Sequence, residues 1–126
     1  MMDTAQPNAL SRWGDIKVFD EQILLENFEG QSKLARRYLL AYIEDSREGF
    51  DELLSFLQAG DVENIRFKAH LLMSSAKLIG AFRLAACLEF LSELPVGLDM
   101  PDLDRLDFMM ILSATLTEIC EFLNNS

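Results

Sequence analysis

Residues 61–81 read DVENIRFKAHLLMSSAKLIGA, and the spacing of their side chains decides the fold. Val62, Ile65, Ala69, Leu72, Ala76 and Ile79 recur at alternating steps of three and four, the repeat that stacks side chains on one face of an α-helix. Asp61 follows Gly60, where an N-cap belongs, and no proline interrupts the run. His70, the only histidine of the 126 residues, lies outside that stripe. At about 100° per residue it points well over a quarter-turn from the stripe's centre, so its ring is expected to be at least partly exposed. Arg66 and Lys77 share its face. Phe67, Leu71 and Leu78 form a second, narrower apolar strip on the other side of it.

Upstream, Ala59-Gly60-Asp61 reads as a tight turn that joins this helix to a long one over about 31–58. Leu34, Tyr38, Tyr42, Phe50, Leu53, Leu54 and Leu57 are expected to form its buried side. Gly49 interrupts it at a cost of about 1 kcal/mol relative to alanine, so a bend or local break is expected there. The neighbouring run Glu44-Asp45-Ser46-Arg47-Glu48 reads as a solvated face. A short helix to about Phe28, capped by Asp20, precedes Gly30, and Ile16, Phe19, Ile23 and Leu24 are expected to cover one end of the fold. Residues 1–15, with Pro7 and Gly14, read as a flexible polar lead-in, in which Trp13 either docks or stays loosely attached. Downstream, Gly80 is either a left-handed helix stop or a close-packing point. Residues 81–94 make the next helix, with Ala81, Leu84, Leu88 and Leu91 as its stripe, and Pro95 stops it. Residues 95–101, with Gly97 and Pro101, read as a loop. The last helix runs from Asp102 or Asp104 to about Leu123, with Phe108, Leu112, Leu116, Ile119 and Phe122 inward. No segment alternates with period two. The expected fold is all-α: an antiparallel up-down-up-down four-helix bundle with a short extra N-terminal helix, forming one domain over 16–126.

Composition narrows the function classes. Half the residues are hydrophobic and a quarter charged, as in a globular domain with a full core. A net charge of −10 argues against a nucleic-acid backbone or an anionic membrane as partner. No run approaches the ~20 apolar residues of a membrane span, and MMDTAQPNALSRWGD has no apolar signal-like core, so a cytoplasmic location is expected. Cys87 and Cys120 both fall on apolar faces and are expected to be packed free thiols. With neither CxxC nor a Cys/His cluster, no zinc site is expected. Neither end carries a linker-like stretch, the expectation for a free-standing protein.

The run Ala69-His70-x-Leu72-x-x-Ser75-Ala76-x-x-Ile79-Gly80-Ala81 resembles the signature of histidine-containing phosphotransfer (HPt) domains, AHxLKGSSxxLGA. Phe19-Asp20, Leu24-Leu25, the long helix and Ala59-Gly60-Asp61 follow in that family's order, so the resemblance covers roughly residues 16–94. It implies a four-helix bundle whose exposed histidine, His70, carries a phosphoryl group to or from receiver-domain aspartates of a two-component phosphorelay. The implied partner is a response-regulator receiver domain, a hybrid sensor histidine kinase, or both. Two positions depart: the family's lysine three residues after the histidine is Met73 here, and the following glycine is Ser74. The lysine lends positive charge to the phosphoryl group, and the glycine leaves room for the partner's site.

The chemistry needs little more than these residues. A neutral imidazole nitrogen is a nucleophile. Attack on an aspartyl phosphate passes through a transition state with charge spread over three equatorial oxygens, which nearby cations stabilise. With Met73 in the lysine's place, Lys77 and Arg66 are the substitute cations; both also read as ordinary solvated helix charges. Ser74 either donates a hydrogen bond to the phosphoryl group or bonds back to a helix carbonyl. Phe67, Leu71, Met73 and Leu78 are the candidate partner-docking residues, with Leu71 the first choice for exposure; the strip otherwise packs under the N-terminal helix. Such a carrier has no turnover of its own and no cofactor; Mg²⁺ is expected in the partner receiver. The competing expectation is a degenerate HPt-like bundle that docks proteins without phosphate chemistry, as Met73 and Ser74 suggest.

Overall fold

A computed structural model describes residues 13–95 and 102–125. They form five helices and, among the described residues, no strand: α1 Glu21–Asn27, α2 Ser32–Ala59, α3 Val62–Leu78, α4 Phe82–Ser92 and α5 Asp102–Asn124. Residues 1–12 of the expected 1–15 lead-in and residues 96–101 of the expected 95–101 loop lie outside the described residues.

Each boundary has a local cause. The Asp20 carboxylate accepts from the Ile23 N–H at 3.2 Å and caps α1, and Asp61 does the same for α3 from Asn64 at 3.3 Å. The α2 helix ends on Gly60 at φ +68°, where the Asp61 N–H reaches the Phe56 carbonyl at 3.0 Å. The α3 helix ends the same way on Gly80 at φ +83°, with the Ala81 N–H on the Ala76 carbonyl at 2.9 Å.

The four longer helices pack as a bundle. α3 lies against α2 and α4, and α5 closes the other side against α2 and α4. Phe108, Leu39, Leu53, Ile65, Leu88 and Ile119 are among the side chains sealed between them. α1 sits on α2. The segment before it is pinned to the α3–α4 turn. The Asp20 N–H donates to the Gly80 carbonyl at 2.8 Å, and the Arg83 N–H donates to Lys17 at 2.9 Å. The Arg83 guanidinium donates to the carbonyls of Ile16 at 2.9 Å and Gly14 at 3.1 Å. Trp13 docks, edge-on to Phe90 at 5.7 Å between ring centroids.

Several sequence expectations are corrected here. α2 runs unbroken through Gly49, whose missing side chain leaves room for Leu72: an added Cβ would lie 3.0 Å from Leu72 Cδ2. The buried stripe of α2 is Ala35, Leu39, Tyr42, Phe50, Leu53 and Leu57; Leu34 is one residue, about 100°, off that stripe and is exposed. On α5 the sealed positions are Phe108, Ile111, Thr115 and Ile119, so Leu112, Leu116 and Phe122 are only half-buried flanks. Cys87 is buried as expected, but Cys120 is exposed. Gly80 meets both of its readings at once: its φ is left-handed, and an added Cβ would lie 2.5 Å from the Asp20 carbonyl oxygen.

Candidate functional site

His70 sits midway along α3 and is exposed. The helix beneath it is held from three sides. Ile65, Ala69 and Ala76 are fully buried against the core, and the two alanines let the backbone approach its neighbours closely. Lys68 Nζ pairs with Glu52 of α2 at 2.5 Å. Leu72 fills the notch at Gly49. On the α4 side, Arg66 Nε points to the Ser92 carbonyl at 3.5 Å. The histidine is therefore presented outward on a helix braced against the core, α2 and α4.

Beside it stands an apolar patch. Phe67 is 64% exposed, Leu71 55% and Leu78 38%. The strip does not pack under α1; Asn27 at the end of α1 only touches its far end, donating from Nδ2 to the Leu78 carbonyl at 2.8 Å. Three large apolar side chains exposed along one face make a surface suited to contact with another protein. Met73 turns the other way, half-buried against the core, and Ser74 is exposed with no hydrogen bond to a described residue. It is Ser75 that bonds back to the helix, from Oγ to the Leu72 carbonyl at 3.3 Å.

The two candidate cations part company. Long side chains on a helix lean toward its N-terminus. Lys77 lies two turns beyond His70, about 10 Å along the axis, and it is exposed with no ion pair among the described residues. Arg66 leans away from His70, and its guanidinium is drawn to the carbonyl-rich end of α4. The shorter sequence separation of Arg66 pointed the other way; its long-range partner Ser92 was invisible in a local pattern.

The seam between α2 and α3 on the Leu72 side holds a cleft of about 260 Å³, lined by Tyr38, Tyr42, Asp45, Leu72 and Ser75. Tyr42 is buried there and its hydroxyl has no hydrogen-bond partner among the described residues. Burial, with a smaller contribution from Tyr38, pushes the phenol pKa well above its ordinary value. Sequence reading placed Tyr42 in the core, but nothing local signalled its unpaired hydroxyl. The acidic run on α2 faces solvent at Glu44, Asp45 and Glu48, while Ser46 Oγ bonds the Tyr42 carbonyl at 2.5 Å.

Comparison with protein-family models, with curated proteins and with solved structures found no match. No helix among the described residues is long and apolar enough to cross a membrane.

Proposed function

We propose that this chain is a histidine phosphotransfer protein of the HPt kind, whose His70 accepts and passes a phosphoryl group in a two-component phosphorelay. The observation that carries the reading is an exposed imidazole midway along a braced helix, beside the exposed Phe67 and Leu71. The reading includes an antiparallel up-down-up-down order for α2–α5. The short turns Gly60-Asp61 and Ile79-Gly80-Ala81, and the ring of neighbours α2–α3–α4–α5, support that order.

In the transfer, a ring nitrogen of His70 attacks the phosphorus of a receiver's aspartyl phosphate. The P–N bond forms as the P–O bond to the aspartate breaks, and the carboxylate leaves with the electron pair. The reverse step returns the phosphoryl group to another aspartate. Lys77 offsets charge on the equatorial oxygens, and the receiver's Mg²⁺ and acidic pocket supply most of the stabilisation. The protein is a carrier without turnover, working in the cytoplasm and docking a receiver domain or hybrid kinase through Phe67, Leu71 and Leu78.

A second reading is a docking module that binds receivers without phosphate chemistry. Met73 in place of the family's lysine and the engagement of Arg66 with Ser92 favour it. Mixing the chain with phosphorylated receiver domains separates the two. The carrier reading predicts acid-labile, base-stable label on the wild type and none on His70→Gln. Receiver binding without label on either protein selects the docking module.

A further inference from the structure

A groove of about 570 Å³ lies away from His70. It runs between α2 and α5, over Leu54, Met109, Leu112, Leu116, Cys120 and Glu121, and no residue of α3 lines it. Its floor on α5 recurs at steps of three and four from Met109 to Asn124, a length of about 22 Å at the helical rise. That matches one face of a roughly 15-residue helix. Met109 is 51% exposed, and its flexible thioether adapts to different apolar side chains.

Charge decides what fits. Among the described residues Glu121 is the only charged one lining the groove; Glu118 is exposed on another face of α5, in a separate cleft with Arg36 and Phe122. From Asp107 to Asn125 the chain has no lysine or arginine. Along α2 the cations Lys33, Arg36, Arg37 and Arg47 are nearly balanced by Glu44, Asp45, Glu48, Asp51 and Glu52, so the excess of negative charge beside the groove comes from α5. Arg36 is spent on the end of α5, where it donates to the Phe122 and Leu123 carbonyls and lies over the Phe122 ring. With a net charge of −10, a second copy is repelled and a cationic partner attracted.

We propose that the α2–α5 groove docks a basic amphipathic helix of another protein, its apolar stripe on Leu54, Leu112 and Leu116 and its lysines or arginines toward Glu121. Because α3 takes no part, this partner stays bound while His70 remains free. The inference does not depend on phosphotransfer and applies equally to a docking module.

The test uses a helical Leu/Lys peptide of about four turns and its Leu/Glu counterpart of the same pattern. Binding is followed by calorimetry, with the helical content of each variant checked. The Leu/Lys peptide is expected to bind the wild type and to weaken as salt rises. Met109→Lys/Cys120→Lys should weaken it at least about tenfold. Glu26→Gln/Glu89→Gln makes the same charge change away from the groove and should leave binding within about twofold. Equal loss in both double variants reduces the effect to net charge and overturns the proposal. So does a Leu/Glu peptide that binds as well, or a wild-type dimer in sedimentation equilibrium that Met109→Lys/Cys120→Lys dissociates.

Discussion

Replacing Gly80 with alanine should cost far more than the same change at Gly60, and the difference measures how tightly the N-terminal segment is seated. Both glycines end helices at left-handed φ, +83° and +68°. For an L-residue that conformation costs about 1–2 kcal/mol, partly offset by about 0.4–1 kcal/mol from a less flexible unfolded chain. At Gly60 nothing lies within 4 Å of the added methyl, so the account stops there, at about 1 kcal/mol. At Gly80 the methyl would sit 2.5 Å from the Asp20 carbonyl oxygen and 3.4 Å from its nitrogen, backbone atoms that cannot swing aside. Moving them stretches the Asp20–Gly80 hydrogen bond, worth about 0.5–1.5 kcal/mol, and strains packing by about 1–3 kcal/mol. The expected loss is about 3–5 kcal/mol against about 1 kcal/mol at Gly60. Urea denaturation of the two variants measures it, read from midpoints at a common slope. Losses equal within about 0.5 kcal/mol would refute the seating of Asp20 on the end of α3.

Tyr42→Phe should not destabilise the protein at neutral pH, because it removes a buried hydroxyl with no partner among the described residues; a gain of about 1 kcal/mol is expected in urea denaturation. The same variant tests the alkaline limb. The folded phenol keeps its proton above the pH where the unfolded one, near 10, loses it. Stability is therefore lost as pH rises past about 10, by up to about 1.4 kcal/mol per unit, and Tyr42→Phe should flatten that fall. Trp13 is the only tryptophan, so Arg83→Ala, which frees the carbonyls of Gly14 and Ile16, should shift its fluorescence to the red while far-ultraviolet circular dichroism stays unchanged. In phosphoryl transfer from a receiver, Lys77→Ala should slow the rate about tenfold and Arg66→Ala less than about threefold, since Arg66 is engaged at the Ser92 carbonyl while Lys77 has no ion pair among the described residues.

Much of this molecule is written in local pattern. The stripe over 61–81 marked α3, its cap and its stop, and it put His70 outside the buried face, where it stands. What local pattern could not carry are the contacts between distant residues. Gly49 looked like a flaw in α2 because its reason, Leu72, lies in the next helix. Arg66 looked close to His70 because Ser92 is far along the chain. α5 is apolar on more than one face, so periodicity could not choose between Ile111 and Leu112 or between Thr115 and Leu116. The surplus became the groove that now includes exposed Cys120.

The central claim is that one imidazole stores a phosphoryl group and gives it up to a protein. The chain is labelled with phosphoramidate, the modified residue mapped, and the purified protein mixed with a receiver domain and Mg²⁺. The account predicts one phosphoryl group per chain on His70, labile in acid, that passes to the receiver's aspartate, with His70→Gln never labelled. Label on another residue, or label on His70 that no receiver removes, would contradict it.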